Sequence, residues 1–116
     1  MTTGNCLFCK IAGGDIAADI IYRSDAAVGF RDINPQAPTH VLIIPRQHIA
    51  TINDLQPDDG LVIGKLFQAA KRIAEDEGIA GDGYRVVMNC NAAAGQTVFH
   101  VHLHLLGGRT LGWPPG

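Results

Sequence analysis

Apolar and polar positions recur along this chain with periods that predict a short series of elements. Cys6 to Ile11, stopped by Gly13-Gly14, reads as a short helix. Ile20 to Arg23 and Ala26 to Arg31 read as two strands joined at Ser24-Asp25, a hairpin. His40 to Ile44 is a run of apolar and β-branched residues closed by Pro45, which suits a strand with little solvent exposure, set in the middle of a sheet. The longest periodic element starts at Pro57, carries Asp58 and Asp59 in its first turn and ends before Gly78. Its apolar set, Val62, Leu66, Ala69, Ala70, Ile73 and Ala74, has the spacing of a helix with one face on a sheet. Tyr84 to Asn89 then reads as a strand, Ala92 to Gln96 as a loop, and Val98 to Leu106 as the last strand. The sum is an α+β domain, mainly antiparallel sheet, with one long helix and a short N-terminal helix.

The chain has 116 residues, 47% of them hydrophobic and 17% charged, enough for one core and one domain spanning 1–116. A net charge of -2 and the absence of any Lys/Arg run argue against a nucleic-acid partner. No apolar run approaches the length of a membrane span and Met1 to Lys10 lack a signal-peptide pattern, so the expectation is a soluble cytoplasmic protein with no membrane partner. Three cysteines do not make a disulfide framework. Cys6-Leu-Phe-Cys9 reads as metal or redox chemistry in a reducing compartment, and Cys90 as a small apolar residue.

All five histidines fall in two short stretches, His40 with His48 and His100 with His102 and His104. In His100 to Leu106 the period is two, so the imidazoles share one face of a strand while Val101, Leu103 and Leu105 share the other. Surface histidines on an amphipathic strand are the bland alternative, but Thr, Lys or Ser would serve solubility as well. A purely metal-binding site is the sharper one. Adjacent members of the alternation lie about 7 Å apart along a strand, so one metal takes a neighbouring pair and leaves at least one histidine for other work. Neutral imidazole attacks phosphorus directly, forming a phosphohistidine that water hydrolyses, with the flanking histidines setting the tautomer and shuttling protons. Asn89, Gln96, Thr97 and the backbone N–H groups around Gly95 stand where they can hold a phosphate.

The run His100 to Leu106 resembles the His-φ-His-φ-His-φ-φ motif of the histidine triad (HIT) superfamily, φ being apolar. The resemblance runs from about Leu7 to the last residue. Asp32-Ile-Asn-Pro-Gln-Ala-Pro-Thr-His40, Ile44-Pro-Arg-Gln-His48, Gly95-Gln96, Gly107-Gly-Arg109 and Trp113-Pro-Pro-Gly116 look like the Hint branch, the purine nucleoside phosphoramidases. That likeness implies a HIT-like fold and hydrolysis of the P–N bond in AMP or GMP amidates through a nucleotidyl-His102 intermediate. It implies that His104 and His40 orient the nucleophile and relay protons, and that His100 shapes the same face. Asp32 would take the ribose hydroxyls. Leu7, Phe8, Ile11, Ile16, Phe30, Ile33 and Leu42 match the positions around the purine, and Asn89, Gly95, Thr97 and Val98 those at the phosphate. Read from the residues alone, the apolar set is ordinary core. Thr97 stands where many of these enzymes have Ser; its methyl restricts χ1 but the hydroxyl is kept.

The branch forms homodimers in which central strands and long helices meet, and the resemblance implies the same here, with residues 107–116 a tail that reaches dimer and site through Trp113. Some members of the superfamily bind a structural zinc through a pair like Cys6 and Cys9 with histidines matching His48 and His100; others manage without metal. Such a zinc is not required for the chemistry. The competing readings are a dinucleoside polyphosphate hydrolase of the same superfamily, a nucleotide-binding or scaffolding dimer with vestigial activity, and a zinc-binding module.

Overall fold

The computed structural model describes residues 5–116. Strands β1 (Ile20–Arg23), β2 (Ala27–Arg31), β3 (Thr39–Pro45), β4 (Tyr84–Val87) and β5 (Leu103–Gly107) form one antiparallel sheet in the order β1-β2-β3-β5-β4. Helix α1 (Leu7–Ala12) lies on one face and helix α2 (Gly60–Asp76) on the other. The expected α+β architecture is therefore present, with β3 at the centre of the sheet and every residue of it buried.

Alternation along β3 explains why it is apolar throughout. Val41 and Ile43 pack with Leu103 and Leu105 of β5 against Leu66, Ala69, Ala70, Ile73 and Ala74 of α2. Leu42 and Ile44 turn to the opposite face, where they meet Val28 and Phe30 of β2 and Phe8, Ile11 and Ala12 of α1. Gly29 permits the close approach of α2 to the sheet, since a Cβ there would stand 2.9 Å from Ile73 Cδ1 and 3.1 Å from Tyr22 Cβ. Among the described residues no helix is long and apolar enough to cross a membrane.

Most boundaries lie within one residue of the sequence-based expectation, and three differ by more. Pro57–Asp59 forms a 3₁₀ turn before α2 begins at Gly60. The strand expected to run to Asn89 ends at Val87, opposite His104. The last strand starts at Leu103 instead of Val98, because the ladder with β3 ends at the Ile43–Leu103 pair. Beyond that pair β3 reaches Pro45, which has no N–H to donate and whose carbonyl accepts the His100 ring at 2.8 Å. Residues 98–102 leave the sheet, and Val101 N–H goes to Ile49 O at 2.7 Å instead.

Arg31 ties β2 to the end of α2 through two hydrogen bonds of 2.9 Å to the Glu77 carboxylate. The hydrogen bond from Arg31 holds the Glu77 carboxyl below its ordinary value of 4.5. A carboxyl depressed in the fold lends stability above the unfolded pKa and loses it as pH falls through the folded one. Glu77→Gln is expected to cost about 1 kcal/mol at pH 7. Parallel urea titrations at several pH values should show the gap to wild type closing below about 4.5. A gap independent of pH would mean that the pair contributes nothing through charge.

Candidate active site

Because side chains alternate, His40 shares the α1 face of β3 with Leu42, and His104 occupies the same face of β5, paired with Leu42. The two imidazoles are diagonal neighbours, His40 Nε2 lying 3.0 Å from His104 Nδ1. His102, one step outside the strand, sets its ring centroid 5.0 Å from that of His104, and Phe8 meets it edge-on at 5.0 Å. The His102 side chain is buried, leaving the residue 6% exposed.

Fixed hydrogen-bond partners assign the tautomers. His102 Nδ1 stands 2.7 Å from the His100 carbonyl oxygen, which can only accept, so Nδ1 carries the proton and Nε2 keeps its lone pair. The backbone N–H of Gln36 donates to His40 Nδ1 at 3.0 Å, which puts the His40 proton on Nε2. That proton lies between His104 Nδ1 and Asp32 Oδ2, the latter 3.4 Å away. His104 therefore accepts at Nδ1 and, neutral, carries its own proton at Nε2. Burial lowers the pKa of His102, against smaller opposing effects of the His100 carbonyl and Asp32. Burial likewise lowers His40, opposed by Asp32, and, with His102 and His40 beside it, pushes His104 down to about 4. At neutral pH the three rings are uncharged, one offering a bare nitrogen and one an N–H donor.

His100 does not join that row. Its Nε2–H donates to Pro45 O, so Nδ1 is bare, and Nδ1 faces Cys6 Sγ at 3.4 Å, Cys9 Sγ at 3.5 Å and His48 Nδ1 at 3.2 Å. Cys9 Sγ lies 3.3 Å from His48 Nδ1. A tetrahedral zinc with bonds of about 2.05 Å to nitrogen and 2.3 Å to sulfur has edges of roughly 3.3 Å for N···N and 3.5 Å for S···N. The four residues thus fit such an ion in donor type, spacing and tautomer, and the expected set Cys6, Cys9, His48 and His100 is brought together. Burial first, then the hydrogen bond and charge of Cys6, push the Cys9 thiol up to about 11, a penalty that a bound dication reverses. Asp32, His40 and His104 also converge, but the Gln36 amide keeps the His40 lone pair at Nδ1, away from the other two. That second cluster is a hydrogen-bond relay.

The expected phosphate segment divides in two. Gln96 is buried, and its amide donates to Ala50 O at 2.8 Å and Val98 O at 3.1 Å while accepting from Asn91 N–H at 2.8 Å. Its polar atoms are thus committed to holding the loop. Gly95 follows the 3₁₀ turn Ala92–Ala94 at φ 98°, a left-handed conformation that favours glycine. Thr97 is exposed, Val98 and Asn89 are half-buried, and the Thr97 and Val98 N–H groups make no hydrogen bond among the described residues.

Of the residues matched to a purine pocket, Phe8, Ile11, Phe30 and Leu42 are core, packed beneath His102. Leu7 and Ile16 are 44% and 36% exposed and Ile33 is fully exposed. Asp32 Oδ1 accepts the Asn34 N–H at 2.8 Å, leaving Oδ2 toward His40. Gln36 and the Pro45 carbonyl act through main-chain atoms, which no side-chain pattern announces.

The HIT domain family matches residues 14–111. The purine nucleoside phosphoramidase of Escherichia coli K12 is 52% identical over 106 residues, covering 91% of this chain and 89% of that protein. A HIT family hydrolase from Legionella pneumophila superposes with a TM-score of 0.95 at 54% identity, over 97% of this chain and 100% of that one. A histidine triad protein from Clostridium difficile gives 0.93 at 35% identity, with 97% of each chain covered. With its histidines set as described and this likeness along nearly all its length, the chain belongs to the HIT domain family.

Proposed function

We propose that this chain is a purine nucleoside phosphoramidase with His102 as nucleophile. The observation that carries the reading is the 2.7 Å bond from His102 Nδ1–H to His100 O, which leaves a neutral Nε2 lone pair on a buried ring. In the first step Nε2 attacks phosphorus, a P–N bond to His102 forms, and the bond to the amine breaks, the departing nitrogen taking a proton from solvent. In the second, water attacks the same phosphorus, the histidine takes back its bonding pair, and the nucleoside monophosphate and a proton are released. His104 Nε2–H, its tautomer set through His40 by Gln36, supplies a hydrogen bond where charge grows on the phosphoryl oxygens.

The Thr97 hydroxyl and the Thr97 and Val98 amides receive the phosphate, with Gly95 shaping the turn and Asn89 beside them, and Asp32 Oδ2 receives the ribose hydroxyls. Exposed Leu7, Ile16 and Ile33 offer apolar surface to the purine over the buried floor of Phe8, Ile11, Phe30 and Leu42. Cys6, Cys9, His48 and His100 hold a structural zinc, which when bound supplies rigidity and no chemistry at phosphorus. The free cysteines suit a reducing cytoplasm. A homodimer is supported by the open edge of β4 and the exposed Leu61 and Phe67 on α2, with Trp113 of the tail available to a partner. Sedimentation is expected to give twice the mass of the chain.

Turnover of adenosine 5′-phosphoramidate and of a dinucleoside polyphosphate, measured side by side, tests the reading. Faster hydrolysis of the amidate is expected; preference for the polyphosphate would move the chain to that other class of hydrolase.

A further inference from the structure

The metal cluster and the nucleophile share a residue. His100 presents its ring Nδ1 to Cys6, Cys9 and His48, and its main-chain carbonyl to His102 Nδ1–H. A second connection runs through α1. Cys6 caps that helix and Cys9 lies within it, while Phe8 between them packs edge-on against both His100, at 6.0 Å, and His102, at 5.0 Å. Six residues make a helix too short to be stable alone, so what places Phe8 on His102 is the attachment of α1 to the rest of the fold.

We propose that the Cys6, Cys9, His48 and His100 cluster, when it holds a tetrahedral divalent cation, positions the nucleophile, with His100 and Phe8 as the positioning residues. This rests on the reading of His102 as nucleophile. Without the cation, two thiols and two imidazoles at 3.2 to 3.5 Å satisfy one another by several interchangeable patterns of S–H and N–H donation. The His100 ring keeps its bond to Pro45 O in each of them, so what they leave loose is the attachment of α1, which carries both thiols. A bound cation would tie His100 and α1 to each other in their place, and so would hold fast the ring of His102, which the His100 carbonyl grips at Nδ1–H and Phe8 meets edge-on. Outer groups that orient a reactive ligand typically carry 10- to 100-fold in activity, the scale expected here.

The test is a pair of readings on the full chain, zinc-loaded and chelator-stripped. Long-range ¹H–¹⁵N spectra report the His102 tautomer, and turnover of adenosine 5′-phosphoramidate reports kcat and KM. The loaded protein should show a single Nδ1–H tautomer. The stripped protein should keep that tautomer but show a shifted and broadened His102 signal, a kcat lower by about tenfold or more and AMP affinity within a few-fold, all restored by zinc. In case the stripped protein unfolds, His48→Asn keeps three ligands and weakens the site. In that variant the His102 signal and kcat should rise together along one zinc titration. A kcat and a His102 signal that ignore zinc would overturn the proposal. A His102 signal that sharpens with zinc in a protein without hydrolysis would instead remove the phosphoramidase reading and leave the positioning intact.

Discussion

Replacing His102 by asparagine is expected to lower kcat for adenosine 5′-phosphoramidate by about 10⁴-fold or more while AMP binding changes little. The amide of Asn donates to the His100 carbonyl as Nδ1–H does, so the shorter side chain keeps the local hydrogen bond observed at 2.7 Å. What it lacks is a second nitrogen with a lone pair, since amide nitrogen is conjugated and does not attack phosphorus. The cavity left beside Phe8 and His104 is small and costs about 1 to 2 kcal/mol of stability, too little to unfold a domain of ordinary stability. Kinetics with calorimetric AMP binding and a melting curve separate these effects. Turnover within tenfold of wild type would remove His102 from the chemical step and favour a nucleotide-binding dimer with the chemistry elsewhere. Lost binding together with lost turnover would point to a structural fault in the site.

What could be read from sequence was whatever depends on side-chain period. The central place of β3 was legible because a strand covered on both faces must be apolar at odd and even positions alike, as Val41 to Ile44 are. The five histidines were legible because their types and spacing have few other uses. The sequence did not disclose that the last strand stops at Leu103, because the cause lies in another strand. Pro45 ends the ladder and gives its carbonyl to His100, a contact between positions 55 residues apart. Strict alternation would have set three imidazoles in one row, whereas His100 turns to the cysteines and leaves His102 and His104 to the site. The tautomer of His40 was equally hidden. It is set by the N–H of Gln36, which nearly any residue would supply, so nothing in the identity of residue 36 reveals it.

Gln96 carries the second large expectation. Gln96→Leu, similar in volume, should destabilise the domain by about 3 kcal/mol and lower kcat/KM as the loop loosens. Three groups lose their partner in that change, the Asn91 N–H and the Ala50 and Val98 carbonyls, all of them in part-buried bonds to the buried Gln96 amide. An unsatisfied buried polar group costs about 1 to 3 kcal/mol, and three together need not be additive, so the lower part of their sum is the appropriate expectation. Asn91 adds to the demand, because its φ of 69° is a conformation that residues other than glycine adopt sparingly and that the Gln96 contacts help to hold. Since the same loop carries Gly95, Thr97 and Val98, its loosening should appear as a raised KM for the nucleotide before chemistry is lost. Gln96→Glu keeps an acceptor for Asn91 but loses both donated bonds and buries a carboxylate among carbonyls, so it should be no better than Leu. The decisive comparison is melting against turnover. Lowered stability with weakened binding makes Gln96 the scaffold of the phosphate loop; wild-type melting with turnover abolished would return its amide to direct contact with the phosphate.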